Sequence, residues 1–267
     1  MSVGTVARKD LADAGRSRAL WAVTLVVVAF TAGITGLIGA TSDQPPAQVF
    51  GLAFQLVVVA LPIIALFVAK GAITGERESG SLRMLLSLPP SRRDILIGKF
   101  VGRTALMIVA TLVGGVATGL VVVTLLGGGL NLLLPFIIFL GLMGMAFVAI
   151  GVGISAASAS DGRATAFAVG AYLILVALWN LIQGGIQAAA SELGLITAGS
   201  QPAWLQFLGI FPPNRAAIAA FETAAGGGRV FAADPFASVW FPTLVLLAWL
   251  VVPVAAGYLR FGDADIG

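Results

Sequence analysis

The side chains that could do chemistry are few, and their types set limits at once. The 267-residue chain has no Cys and no His, which removes disulfides, thiolate or imidazole metal sites, and Cys- or His-dependent nucleophilic mechanisms. Gly98-Lys99 lacks the upstream glycine of a phosphate-cradling loop and is followed by Phe100, so it does not make a GxxxxGK[ST] nucleotide site. No Asp or Glu falls near the middle of a long apolar run, where a proton relay or an aspartyl protease would need one. The sequence therefore predicts no catalytic residue, no cofactor and no metal on this chain, and the chain is not expected to be an enzyme.

What remains is hydrogen bonding and electrostatic docking. Gln55 sits in one apolar run; Asn180, Gln183 and Gln187 recur at steps of three and four in another, a spacing that shares one helix face. They are candidates to line a substrate path. The alternative role is hydrogen bonding between helices, common in membrane bundles and worth about 0.6 kcal/mol on average.

A second group lies in the stretch Gly75-Glu76-Arg77-Glu78-Ser79-Gly80-Ser81-Leu82-Arg83-Met84-Leu85-Leu86-Ser87-Leu88-Pro89-Pro90-Ser91-Arg92-Arg93-Asp94. Leu82, Leu85 and Leu86 have helical spacing, with Glu76, Glu78 and Arg83 free to project elsewhere. Pro89-Pro90 ends that helix. Ser91 caps a second one, with Asp94 in the capping-box position, leading through Ile95, Ile97 and Lys99 into the next apolar run. A short amphipathic helix of this kind either anchors at the membrane surface or docks a soluble partner whose surface its charges read.

The elements that must hold these residues are membrane spans. Hydrophobic residues make up 59% of the chain and charged residues 10%, against roughly 25% charged in a soluble domain. Six apolar stretches, about 19–40, 49–69, 101–126, 132–157, 164–190 and 239–259, are each long enough to cross about 30 Å of hydrocarbon as helix. They lack the alternation of barrel strands. The sequence predicts an all-α polytopic bundle forming a single transmembrane domain over 1–267. The first run is too long for a signal peptide's apolar region.

Basic residues set the direction. Arg8, Lys9, Arg16 and Arg18 precede the first run. Lys70, Arg77, Arg83, Arg92, Arg93, Lys99 and Arg103 lie between the second and third. Arg163 follows the fourth and Arg260 the sixth. The alternate loops are nearly bare: Asp43 is the only charge in one, 127–131 has none, and the long segment before the sixth run has only Arg215 and Arg229 as basic residues. Cytoplasmic loops collect Lys and Arg, so both termini are expected in the cytoplasm. The net charge of +3 then reports topology and not nucleic-acid binding. Small-residue rows at Gly33/Gly36/Gly39 and Gly115/Gly119 predict close helix packing. The segment 191–238, with Trp204 and Pro212-Pro213, is expected outside, as a gate or cap.

The loop resembles that of ABC-2 type ABC transporter permeases. In that family a Glu-rich element and glycine, Leu-rich residues, Leu-Pro-x-Ser-Arg, an Ile and Gly-Lys occur in order. The matching residues are Glu76, Glu78, Gly80, Leu82, Leu85, Leu86, Leu88, Pro89, Ser91, Arg92, Ile95, Gly98 and Lys99. The segment from Ala7 to Arg18 resembles the family's interfacial helix before the first span. Gly209 to Asn214 resembles the region before the sixth, with Pro-Pro-Asn where the family has Asn-Pro. Within the family the chain resembles the permease of the transporter that matures the copper site of nitrous oxide reductase, together with that group's many relatives of unassigned substrate.

The resemblance implies a mechanism. The loop is a coupling helix seated in a cleft of a separate cytoplasmic ATP-binding subunit, which carries the ATP and Mg. Two permease copies, expected as a homodimer in a prokaryotic cell membrane, make the transporter. Glu76, Glu78, Gly80, Leu82 and Arg83 become docking residues. Two other functions compete. A carrier or channel working alone predicts intramembrane ionisable residues or broken helices repeated in two halves, and the sequence shows neither. A membrane scaffold would use the same docking loop.

Overall fold

A computed structural model describes Gly4 and residues 18–78, 91–197 and 199–262. Helices dominate. α1 is Trp21–Thr41, with a π turn at Ala29–Gly33. α2 is Pro46–Ala69 and leads through a turn into the short α3, Thr74–Glu78. α4 is Arg92–Leu126 and α5 is Leu130–Ala157. α6, Asp161–Ala177, and α7, Trp179–Glu192, form a bent pair. α8 is Ala203–Ile210, α9 is Pro213–Ala225 and α10 is Trp240–Gly262. Five of these are long and apolar enough to cross a membrane, and six crossings result when α6–α7 counts as one. The protein is a multi-pass membrane bundle.

Burial follows the environment. Phe67, Val116, Leu120, Leu134 and Val251 are largely exposed, as expected where lipid replaces water as the outer solvent. The protein-facing core centres on α5, which packs against α2, α4, α9 and α10. Small residues set how closely helices approach. A Cβ on Gly257 of α10 would lie 2.7 Å from Gly153 Cα of α5, so these helices touch backbone to backbone. Gly119 faces Leu133 and Gly39 faces Leu126, where a Cβ would displace the leucine's terminal methyl. Gly33 has open space instead and takes no part in such packing.

Two features depart from the sequence reading. The run 164–190 is not one straight span: α6 ends in a π turn, Leu173–Ala177, and α7 leaves at 59°. Leu178 N donates to Leu173 O at 2.7 Å, which satisfies the backbone across the break. Tertiary packing explains the bend, because Trp179 turns inward, donating Nε1–H to Leu208 O at 3.0 Å and stacking on Phe211.

The segment 191–238 is more than an external cap. α8 and α9 form a hairpin that enters the bundle, with Ala216, Ala217, Ala220 and Phe221 of α9 buried against α2, α5 and α10. Phe221 stacks on Phe54 at 4.3 Å, and Phe136 meets both rings edge-on. The tip is anchored by a second indole: Trp249 Nε1–H donates to Phe211 O at 2.7 Å. Carbonyls freed where α8 ends thus find donors, as they must in hydrocarbon. Trp249 stands nine residues into α10, about 14 Å from its interfacial start at Trp240. The hairpin tip therefore lies near the middle of the bilayer. The interfacial helix expected before α1 and the coupling helix expected near Leu82 fall outside the described residues.

Candidate functional sites at the two ends of the bundle

The basic end carries an interlocked polar network. Lys70, at the end of α2, pairs with Asp161 at 2.6 Å. The same carboxylate accepts from Thr74 Oγ1 at 3.0 Å. Ser155 of α5 accepts from the backbone N–H groups of Ile73 and Thr74 at 3.0 and 3.2 Å. Arg77 donates to Ser158 O at 2.7 Å. The turn after α2 is thus tied to the end of α5 and the start of α6.

Two of the sequence-predicted docking residues belong to this network. Glu76 pairs with Lys99 of α4 at 2.5 Å, with the two side chains 20% and 11% exposed; that carboxylate is turned into the chain. Glu78 accepts from Asp161 N at 2.7 Å, placing a negative charge at the first turn of α6, where the helix dipole favours it. Gly80, Leu82 and Arg83 lie outside the described residues. The capping box is present: Asp94 N donates to Ser91 Oγ at 3.1 Å and Ser91 N donates to Asp94 Oδ2 at 3.0 Å.

The other site is a polar cavity of about 340 Å³ where the hairpin meets α2 and the α6–α7 break. Its polar lining is Gln55, Asn180, Asn214, Arg215 and Glu222; valines of α2 and α6 and Ile218 of α9 make its apolar wall. The structure brings Gln55 and Asn180 together here. Gln183 lies instead against Gly209 of α8, and Gln187 does not line the cavity. Their drift has a simple cause: steps of three and four hold a face over two turns, but only the first turn of α7 reaches the opening. Gln55 Nε2 donates to Glu222 Oε1 at 3.3 Å.

Sequence reasoning missed Asn214, Arg215 and Glu222. It expected no carboxylate inside the bundle and assigned Arg215 to an outside loop. The available signal was the apolar spacing 216, 217, 220 and 221 after Pro212-Pro213, which gives α9 a buried face. Asn214 is 5% exposed, and its buried Oδ1 has no hydrogen-bond partner among the described residues. Arg215 makes no hydrogen bond or ion pair with any described residue.

Comparison with known proteins agrees with this architecture. The family described as ABC-2 family transporter protein matches residues 4–266. The chain is 32% identical over 271 residues to the probable ABC transporter permease protein NosY of Pseudomonas aeruginosa, covering 96% of this chain and 94% of that one. It is 31% identical over 278 residues to the protein of the same name from Stutzerimonas stutzeri, covering 97% of each. The chain belongs to the ABC-2 family of transporter permeases, as a relative of the NosY proteins.

Proposed function

We propose that this protein is the membrane subunit of a transporter driven by a separate cytoplasmic ATP-binding subunit, with a second permease copy completing the assembly. ATP and Mg are held by the partner, and this chain contributes no catalytic group. The basic end faces the cytoplasm, as the Lys and Arg distribution requires, and both termini lie on that side. The observation that carries the reading is the network at the basic end. The turn entering the loop is fastened through Ser155, Asp161 and Lys99 to three spans. A displacement of the loop by a closing ATPase is therefore delivered to α4, α5 and α6 together. The cavity at the α6–α7 break lies on the path of that movement.

The test is co-purification of the full chain with candidate ATP-binding subunits, followed by ATP hydrolysis. Gly80→Trp and Arg83→Glu alter the docking loop and leave the side chains of the network as they are. A complex that forms with the native chain and is lost in these variants supports the reading; binding indifferent to them contradicts it. The bent α6–α7 pair and the intramembrane Arg215 favour a second reading, a carrier working alone. That reading requires transport in vesicles containing this chain and no ATPase.

A further inference from the structure

Arg215 stands in the first turn of α9, close to the hairpin tip near mid-bilayer, and has no partner among the described residues. An ionised side chain at such depth is costly unless it faces water or a counter-charge, and it marks a binding site by default. One residue away, Asn214 is buried with an acceptor oxygen that no donor among the described residues meets. Glu222 lies seven residues along the same helix and on the same side, lining the same cavity. Its Oε1 is taken by Gln55. Seven residues separate the two backbone positions by about 10 Å, and the guanidinium and the carboxylate form no ion pair with each other.

We propose that this cavity binds a small zwitterion, with its anionic group on Arg215 and its cationic, hydrogen-donating group on Glu222. A simple anion would meet Glu222, and a simple cation would meet Arg215; only a molecule carrying both charges satisfies both ends. The volume of about 340 Å³ is roughly that of ten waters in the liquid, which suits a solute the size of a dipeptide. The apolar wall tolerates its carbon skeleton. The same chemistry is offered by a free amino-acid-like solute and by the ethanolamine phosphate head of a phospholipid entering from the bilayer. As the substrate of ATP-driven transport, the ligand rests on the function proposed above; its binding is read without ATP or a partner, so the two fail separately.

The test uses the full chain purified in a maltoside detergent and follows thermal unfolding. The probes are diglycine, N-acetyl-diglycine, which keeps only the anion, and diglycine amide, which keeps only the cation. Diglycine is expected to stabilise the chain at concentrations about tenfold lower than either blocked form, the worth of one charge-assisted contact. Arg215→Gln removes the preference over the amide, Glu222→Gln removes the preference over the acetyl form, and Arg215→Lys retains part of it. Lysophosphatidylethanolamine against lysophosphatidylglycerol forms the second arm. If the Arg215- and Glu222-dependent response occurs there and not with diglycine, the ligand is the lipid head. A native chain that prefers the zwitterion in neither arm overturns the proposal whatever the variants do. So does a preference that survives in both charge-removing variants.

Discussion

The two ends of this bundle treat charge in opposite ways. At the basic end, Lys70, Asp161, Glu76, Lys99 and Glu78 are all engaged within the chain and join α2, α3, α4 and α6 into one block, while Arg77 Nη2 and Thr104 Oγ1 are buried there without a hydrogen-bond partner among the described residues. At the hairpin, neither Arg215 nor the Asn214 acceptor has a partner among the described residues. Satisfied ion pairs make a part that moves as a unit. Unsatisfied groups at membrane depth cost stability, and such a cost is expected where something must bind. On the function proposed above, the contrast separates a transmitting end from a receiving end.

Substitutions can break this contrast, and their effects rank. The largest is expected at Glu76: Glu76→Ala removes the carboxylate facing the nearly buried Lys99 and should cost about 3 kcal/mol, seen as a clear fall in thermal midpoint in detergent. Asp161→Asn weakens the bond to Lys70, but the Asp161 and Lys70 side chains are 31% and 16% exposed. Solvent screening reduces the loss to about 1–2 kcal/mol. Ser91→Ala removes the cap of α4 at about 1 kcal/mol. Arg215→Gln should fall within about 0.5 kcal/mol of the native chain or stabilise it, because no interaction within the described residues is lost. A destabilisation by Arg215→Gln as large as that by Glu76→Ala would erase the distinction between the ends.

Much of the fold was legible in the sequence because its signals are strong and local. Twenty-residue apolar runs, the Ser91–Asp94 box and the small-residue rows each depend on one segment and its neighbours. The hairpin was not legible because α8 and α9, at 8 and 13 residues, are too short to span, and Asn214, Arg215 and Glu222 read as exposed polar residues. Only the bundle supplies the indoles of Trp179 and Trp249 that hold the tip in place. The α6–α7 break escaped for the same reason, since hydropathy records length and not direction. At the loop, Glu76 and Glu78 have the right types for docking, but spacing alone could not reveal that Lys99 and the start of α6 face them within the same chain.

The most direct test of the division into transmitting and receiving ends exploits the absence of cysteine. A single Val59→Cys, in the cavity wall, is labelled with a maleimide in the complex with its ATP-binding partner, without nucleotide and after trapping with ATP and vanadate. The account predicts that trapping changes the labelling rate in the otherwise native chain, and that Asp161→Asn abolishes this response while labelling itself persists. A rate indifferent to trapping in the native background, or a response that survives Asp161→Asn unchanged, would contradict it.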